Sequence, residues 1–346
     1  MAEKKQDIRR LSKAEISSFF VEQGDKSFRG SQVYEWLWKN SASSFEAMTN
    51  LSKATRELLD RHFEIKVVRL KDSQTSSDRT IKSTFELHDK TIVEGVLIPS
   101  KNRMTACISS QVGCSLSCSF CATGKLDRLR NLEAGEIYDQ VVIIKNQAEL
   151  TYKAPLSNIV YMGMGEPLLN YANMLQSIAH ITSEEGLGMS PKRITVSTAG
   201  IAKMIRKLGD DEVKFNLALS LHAANDVKRS QMMEINDTNS LVELRDALKY
   251  YFSKTKNQIT YEYILFDGFN DSLQDAEELY QFTKHVPSKV NIIEYNPVSD
   301  TPYAKASSTA LDHFAAYLDK RDVIVRVRRS RGKDIDAACG QLAGKV

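Results

Sequence analysis

The spacing of apolar residues along this 346-residue chain changes twice and divides it into three parts. Apolar residues from about 8 to 65 recur at the spacing of amphipathic helices, and glycines punctuate the turns between them. Two strand-like runs follow at 80–87 and 91–99, and the three polar residues between them predict a hairpin. From about residue 104, short apolar strands alternate with longer amphipathic helices.

This alternation predicts an α/β fold with a parallel sheet. Helical patterns cover stretches such as 133–149, 171–185 and 241–254. The predicted strands are at 104–109, 158–162, 193–197, 215–221, 259–265 and 290–295, with a further strand at 323–328. Six strand–helix units are fewer than the eight of a full barrel, so the pattern allows an incomplete barrel or a doubly wound open sheet. Either arrangement places active residues at the carboxyl ends of the strands.

The same pattern predicts the domain boundaries. We expect an N-terminal helical accessory domain at 1–75 and a β-hairpin extension at 76–99. The α/β core then covers 100–333, and a C-terminal loop covers 334–346.

Composition narrows the class of protein. Hydrophobic residues make up 42% and charged residues 26%, which is typical of a soluble globular protein. No run of eighteen or more apolar residues occurs, so we expect no membrane span. The polar N-terminus does not resemble a signal peptide, and we expect a cytoplasmic protein. The net charge of +3 says little about nucleic acid by itself.

The positions of the basic residues are more informative about possible phosphate contacts than the net charge is. Two basic clusters lie at 125–130 and 321–333, and Asp322 is the only acidic residue before position 334 in the second. Such clusters are either solvated surface or contacts for phosphate groups. Both interpretations stay open at the level of sequence.

The five cysteines favour metal or redox chemistry, because an odd number without a secretion signal argues against a disulfide framework. Cys114, Cys118 and Cys121 form the pattern C-x3-C-x2-C. Three thiolates are one fewer than a [4Fe–4S] cluster needs for all-cysteine ligation, so one iron would stay open to another ligand. A structural zinc site would need a fourth ligand, and Cys107 could supply it.

The cysteine pattern, with the aromatic Phe120 before its last cysteine, resembles the signature of the radical S-adenosylmethionine (SAM) superfamily. The flanking segments 107–114, 163–167 and 334–342 resemble the dual-specificity RNA methyltransferases, which act at adenine C2 in 23S rRNA and in some tRNAs. The resemblance covers nearly the whole chain. It implies a partial (β/α)6 radical SAM barrel with a small N-terminal helical accessory domain. It also implies a [4Fe–4S] cluster on the three cysteines.

The resemblance gives roles to two further cysteines and one glutamate. Adenine C2 is electrophilic, so ordinary methylation by SAM fails and covalent catalysis is needed. The family uses two SAM molecules per turnover, and the resemblance implies that Cys339 carries the methyl group and is transiently crosslinked to RNA. It implies that Glu94 accepts the C2 proton and that Cys107 forms a transient disulfide with Cys339. The alternatives are buried, inert thiols and an outward-facing charge in a strand.

Polar and small residues at predicted strand ends are expected to contact SAM. Glycines at a strand end allow close approach of a backbone to a ligand. Tight turns and a packed histidine are the alternatives for these positions. The positions that match the family's SAM contacts are Gly165, Glu166, Ser197, Ser220, Leu221, His222 and Asn296.

The expected partners follow from the same resemblance. Substrates would be 23S rRNA and tRNA, with the target base unstacked, and reduced flavodoxin or ferredoxin would donate electrons to a monomer. One alternative is the related antibiotic-resistance enzyme that methylates adenine C8, although Val112 and the run 166–168 favour the C2 enzyme. Another alternative is a zinc-stabilised RNA-binding protein without catalysis.

Overall fold

The computed structural model describes residues 5–101 and 103–344. Three helices form the N-terminal part, as predicted, and serine side chains cap the first and third of them. Two very short strands pair in parallel beside these helices. The bounds are β1 Gln6–Asp7, α1 Lys13–Glu22, α2 Phe28–Trp38, α3 Lys53–His62 and β2 Phe63–Glu64.

An antiparallel ribbon joins these helices to the core. The predicted hairpin is confirmed as β4 (Ile81–Glu86) and β5 (Ile92–Ser100). A third strand, β3 (Arg69–Thr75), pairs with β4, although the sequence assigned residues up to 75 to a helical domain. That assignment is wrong for residues 69–75, which form a strand. All seven residues of β3 are exposed and show no apolar alternation, so their pattern does not indicate a strand.

The core is a set of strand–helix units. Its strands are β6 Arg103–Cys107, β7 Gln111–Val112, β8 Arg130–Asn131, β9 Asn158–Tyr161, β10 Ile194–Thr198, β11 Asn216–Ser220, β12 Ile259–Leu265, β13 Ser288–Glu294 and β14 Val325–Arg328. Its helices are α4 Ala134–Tyr152, α5 Tyr171–Thr182, α6 Ala202–Asp210, α7 Asp226–Met232, α8 Leu241–Thr255, α9 Leu273–Thr283 and α10 Ser308–Asp319.

One ten-stranded sheet contains all these strands except the short β7–β8 pair and the β1–β2 pair. Its order is β14-β13-β12-β11-β10-β9-β6-β5-β4-β3, and β6 together with β9 to β14 is parallel. The parallel strands follow one another in chain order, whereas a doubly wound sheet reverses its order at a switch point. Six strand–helix units followed by β14 therefore confirm the incomplete barrel.

Continuous apolar runs place the central strands in the interior. Every residue of β12 is buried, which is typical of a parallel strand covered on both faces. A second, smaller apolar cluster lies at the carboxyl ends of the strands and contains Phe120, Phe266, Ile293 and Tyr295. Phe120 belongs to the cysteine loop, and Leu116, Cys118 and Cys121 of the same loop pack against the cluster.

The N-terminal helices pack on α4 and α5 of the core. Arg9, almost fully buried, binds the carboxylate of Asp139 on α4 at 2.9 Å. The indole of Trp38 stacks on the ring of His180 on α5, with ring centres 3.5 Å apart. One apolar core is therefore continuous across both parts. In the described part of the chain, no helix is both long enough and apolar enough to cross a membrane.

Candidate active site

A cavity of about 250 Å³ opens at the carboxyl ends of the parallel strands. Loops after successive strands and the C-terminal segment enclose it, as expected for a barrel site. The predicted site residues that line it are Cys107, Cys114, Cys118, Cys121, Gly165, Glu166, Ser197, Ser220, His222 and Cys339. Most of the site predicted from sequence is thus gathered in one place.

The three clustered cysteines lie on the loop between β7 and β8, whose antiparallel pairing closes its base. Burial, followed by the charges of Cys121 and Cys114, raises the pKa of Cys118 well above its ordinary value. Burial likewise raises the pKa of Cys114 to about 11 and that of Cys121. Without a metal, neutral thiols are therefore favoured at these positions, and metal binding must displace their protons.

The three loop thiols form one group at the cavity. All three line it, and the charges of Cys114 and Cys121 affect Cys118. An iron–sulfur cube takes one thiolate per iron, whereas a structural zinc ion is held by several ligands at once. Among the residues that the structure describes, no group of three His, Cys, Asp or Glu side chains is arranged to hold one metal ion.

A buried arginine that the sequence did not reveal lies behind this loop. The guanidinium of Arg229 donates to the backbone carbonyls of Ala199, Ser220 and Leu221. Its positive charge lowers the pKa of the Cys118 thiol against the larger effect of burial. Arg229 therefore ties the ends of β10 and β11 together and brings a positive charge close to the three thiols.

The glycine-rich turn after β9 lines the cavity and also packs against neighbouring parts of the chain. Gly165 has φ +93°, and a Cβ there would lie 2.4 Å from the Cβ of Gln111. Glu166 accepts hydrogen bonds from the backbone N–H groups of Leu168, at 2.9 Å, and Ala199, at 2.7 Å. Burial raises the pKa of Glu166 to about 7. These contacts account for both residues structurally, and their contact with SAM stays a prediction.

The ends of β10 and β11 bring two predicted serines together. The hydroxyls of Ser197 and Ser220 lie 3.3 Å apart and line the cavity. The Nδ1 atom of His222 accepts the backbone N–H of Ile264 at 3.1 Å, so the ring proton is on Nε2. Burial lowers the pKa of His222 to about 3, which keeps the ring neutral. Leu221 is fully buried and lies outside the cavity lining.

Asn296 is near the site but does not line the cavity. Its side-chain amide donates to the backbone carbonyl of Cys339 at 3.4 Å. In this structure Asn296 therefore positions the C-terminal loop, and its predicted contact with SAM stays a prediction.

Cys107 and Cys339 meet at this cavity from opposite ends of the core. Cys107 ends β6, whereas Cys339 lies on the C-terminal segment and is exposed to the cavity. Burial and then the charge of Cys339 raise the pKa of Cys107 to about 12. Both thiols are free. The alternative that Cys339 is a buried small apolar residue is wrong.

Glu94 is buried, which contradicts the alternative that strand alternation turns it outward. One carboxylate oxygen lies 3.7 Å from the Lys82 ammonium group. The other accepts hydrogen bonds from the backbone N–H groups of Ala343, at 2.8 Å, and Gly344, at 3.0 Å. Glu94 is not part of the cavity lining. The C-terminal segment thus covers it in this conformation.

A second carboxylate, Glu262, does line the cavity and was missed by the sequence reasoning. It lies in the middle of β12, where a charged residue interrupts an otherwise apolar and aromatic run. That interruption is the signal that could have identified it, because a buried carboxylate needs a partner.

The two basic clusters differ in their contacts. Arg328, Arg329 and Arg331 of the second cluster line the cavity, and they are also ion-paired, with Glu262, Asp312 and Asp78 respectively. In the first cluster, Arg130 binds the carboxylates of Asp89 and Glu136, and so it stabilises the fold. The second cluster is therefore the better placed of the two to meet phosphate groups at the cavity mouth.

Comparisons with known families agree with this geometry. Residues 6–65 match the model of the ribosomal RNA large subunit methyltransferase N-terminal domain, and residues 108–283 match that of the radical SAM superfamily. The chain is 61% identical to the "Probable dual-specificity RNA methyltransferase RlmN" of Cytophaga hutchinsonii, over 99% of this chain and 94% of that protein. The Bacillus velezensis protein of the same name is 42% identical, over 96% and 91%.

Solved structures give the same result for the fold. A radical SAM methyltransferase from Sphaerobacter thermophilus matches with a TM-score of 0.92 and 37% identity, covering 98% of this chain and 100% of that one. HydG, a maturase of the [FeFe]-hydrogenase, matches with a TM-score of 0.50 and 14% identity, over 69% of this chain and 55% of that one. The second likeness concerns the barrel fold alone.

Proposed function

Because this chain belongs to the dual-specificity RNA methyltransferase RlmN family of the radical SAM superfamily, we propose that it methylates C2 of an adenosine in 23S rRNA and in tRNAs. The chain is a SAM-dependent RNA methyltransferase with a radical mechanism. The position on the base, the covalent intermediate and the individual residue roles are the parts we propose.

One observation carries the proposal. Two free thiols from distant parts of the chain, Cys107 and Cys339, line the same cavity as a loop with three further cysteines. Attachment of iron needs only the loop. Two additional thiols within one cavity are what a covalent carrier and its release require.

We assign the [4Fe–4S] cluster to Cys114, Cys118 and Cys121, whose thiols face the cavity. When bound, the cluster supplies the electron that cleaves SAM to a 5′-deoxyadenosyl radical. Ser197, Ser220 and the neutral His222 line the cavity at the carboxyl ends of β10 and β11, and they would orient SAM by hydrogen bonds. Arg229 stabilises the turn that carries Ser220.

Cys339 carries the methyl group in this proposal. Its sulfur takes a methyl group from one SAM molecule. In the radical step that uses a second SAM, the methyl carbon loses a hydrogen atom and bonds to adenine C2, and the adduct then gives up the C2 proton and one electron, which the cluster could take back. Cys107 attacks the sulfur of Cys339 and a disulfide forms, while the bond between that sulfur and the methylene carbon breaks, and the carbon keeps the electron pair and takes a proton. The exposure of Cys339 to the cavity suits this sequence, since the sulfur must meet both SAM and the base.

Glu94 takes the C2 proton in this proposal. Its carboxylate now binds the backbone of Ala343 and Gly344, so this end of the C-terminal segment must move before Glu94 reaches the base. A general base has to come within hydrogen-bonding distance of the proton that it abstracts.

The RNA would enter with its target adenine unstacked, since a base inside a helix cannot reach an enclosed cavity. Arg328, Arg329 and Arg331 lie at the cavity and are suited to the flanking phosphates. We further propose that the enzyme works as a cytoplasmic monomer with reduced flavodoxin or ferredoxin as electron donor.

Mass spectrometry of nucleosides tests the proposed position of methylation. The anaerobically reconstituted protein is incubated with reductant, methyl-labelled SAM and unmodified 23S rRNA or tRNA, beside the Cys339→Ala variant. We expect labelled 2-methyladenosine from the parent protein and none from the variant. Labelled 8-methyladenosine would keep the family and refute the C2 assignment. Cleavage of SAM without label in RNA would refute the proposed substrate.

A further inference from the structure

The carboxylate of Glu262 is a buried ionisable group that faces the cavity and that the proposed steps do not use. Its backbone carbonyl accepts hydrogen bonds from the N–H groups of Leu221, at 3.0 Å, and His222, at 3.3 Å, so its place on β12 is fixed. Its Oε1 atom accepts a hydrogen bond from the side-chain amide of Asn291 at 2.8 Å.

The second carboxylate oxygen is paired with a charge. Oε2 of Glu262 accepts no hydrogen bond from the described residues, but it lies 3.6 Å from the guanidinium of Arg328, which also lines the cavity. An ion pair without a hydrogen bond leaves this buried carboxylate incompletely satisfied. A buried carboxylate of this kind, in the lining of a cavity that also holds a nucleophile, is a candidate for proton transfer.

The nucleophile in question is Cys339, which shares the cavity with Glu262. Desolvation by the surrounding protein atoms raises the pKa of the Cys339 thiol, the charge of Arg328 lowers it, and the negative charge of Glu262 raises it. The two groups are therefore near enough for their charges to interact. A thiol whose pKa is raised is mostly protonated at neutral pH, whereas methyl transfer from SAM needs the thiolate.

We propose that Glu262 is the general base that deprotonates Cys339 when the first SAM molecule methylates it, with Asn291 orienting the carboxylate. The proton of the thiol moves to Oε2 of Glu262. The freed electron pair on sulfur forms the bond to the methyl carbon. The sulfonium–methyl bond of SAM breaks, its electron pair stays on the departing sulfur, and S-adenosylhomocysteine leaves. No oxidant or reductant is needed. The inference rests on the proposed role of Cys339.

Burial makes the carboxylate of Glu262 a stronger base. Burial raises the pKa of Glu262, and Arg328, Asn291 and Lys289 oppose that shift. A carboxylate with a raised pKa accepts a proton from a thiol more readily than an ordinary one. The charged groups that face the pair come from β14, β13 and the cysteine loop: Arg328, Lys289 and Cys121.

The test is the rate at which SAM alone, without reductant or RNA, methylates Cys339 in the reconstituted protein, followed by peptide mass spectrometry. We expect Glu262→Gln, which can still accept the Asn291 hydrogen bond, to slow methylation about 100-fold, within the range typical of general bases. Glu262→Asp should restore part of the rate, and Asn291→Ala should reduce it less. Glu136→Gln is the matched control, since Glu136 is equally buried but does not line the cavity.

Alkylation of Cys339 by iodoacetamide in the same holoenzymes distinguishes a general base at Glu262 from a purely electrostatic effect of its charge. Removing a negative charge beside a thiol favours the thiolate, so a purely electrostatic role predicts faster alkylation in Glu262→Gln. A general base predicts slower alkylation at neutral pH. Faster or unchanged alkylation, or unchanged methylation, would overturn the role of Glu262 alone. If the parent protein itself shows no methylation of Cys339, the proposed function fails with it.

Discussion

The cysteines of this chain lie in different surroundings. Cys118 is affected by the charges of the other two loop thiols and of the buried Arg229 guanidinium. Cys107 ends a strand at the cavity wall, where burial raises its pKa to about 12. Cys339 lies in a turn of the C-terminal segment and is exposed to the cavity. These surroundings agree with the proposal that three thiols hold iron and two react.

This division predicts different losses for single cysteine variants. Cys118→Ala should lose most of its bound iron, because two thiolates hold a [4Fe–4S] cluster far less well than three. Cys107→Ala and Cys339→Ala should keep the iron content of the parent protein and should still cleave SAM under reducing conditions. Iron and sulfide analysis with quantification of 5′-deoxyadenosine measures both. Loss of iron from Cys107→Ala would instead make Cys107 a ligand.

Among elements, the C-terminal segment after β14 connects most of the site. Lys333 and the backbone N–H of Ser330 bind the carboxylate of Glu294 at the end of β13. Asp334 binds Ser76 just after β3, and Ala343 and Gly344 bind Glu94. These anchors hold the Cys339 loop at both sides while leaving the cysteine itself exposed. Apart from the short 3-10 helix Lys333–Ile335, the loop is thus positioned by its contacts with the sheet.

The Glu294 anchor makes stability depend on pH. Burial raises the pKa of Glu294, but the hydrogen bonds with Lys305 and Lys333 outweigh this effect and lower the pKa to about 2. A carboxyl whose pKa is lowered in the folded state stabilises it fully above its unfolded value, about 4.3, and loses this contribution as the pH falls toward 2. Glu294→Gln should therefore be less stable than the parent at pH 7, by about 1 kcal/mol.

Thermal unfolding of both proteins between pH 7 and pH 3 measures this effect. The difference in melting temperature should shrink as the pH falls below about 4.3, because the unfolded parent protein then binds a proton at this carboxyl whereas the folded protein stays ionised there until the pH nears 2. A difference that stays constant over this range would contradict the assigned role of the Glu294 charge.

The strands and helices of the core could be predicted because each buries an apolar face with its own period. The predicted strand 259–265 coincides with β12, and the other predicted core strands agree to within a few residues, whereas the two-residue strands β7 and β8 were not predicted. The exposed β3 could not be predicted, since nothing in its side chains marks a buried face. The candidate site residues were named from their motifs and from the family resemblance. The burial of Glu94 and Glu262 could not be predicted in this way, because it depends on which strands become neighbours and on where the chain end packs.

At the scale of the whole molecule, the N-terminal helices and the barrel form one packed body. Trp38 is almost fully buried between Tyr138 and His180, two residues of the core helices α4 and α5. Burial and the charge of Arg9 lower the pKa of His180 to about 4, so the stacked ring is neutral at physiological pH. A neutral ring can remain in this apolar contact. The accessory helices are therefore held in a fixed position near the barrel.

Replacing Trp38 tests this continuity. Trp38→Ala should lower the free energy of unfolding by about 3–5 kcal/mol, since it opens a cavity between the helices and the barrel. Trp36→Ala on the same helix should cost less, because Trp36 is only partly buried. Denaturant unfolding followed by fluorescence and circular dichroism measures both. A loss below about 1 kcal/mol in Trp38→Ala would contradict the shared core.

The central claim is that the methyl group passes through Cys339, and a single-turnover labelling experiment tests it most directly. The protein is first methylated at Cys339 with unlabelled SAM and freed of small molecules, and then receives reductant, RNA and SAM with a deuterated methyl group. If the methyl group passes through Cys339, the first equivalent of methylated adenosine carries an unlabelled methyl group and deuterium appears only in later turnovers. A deuterated methyl group in the first equivalent of product would show that the group bypasses Cys339, and the proposed role of this thiol would be wrong.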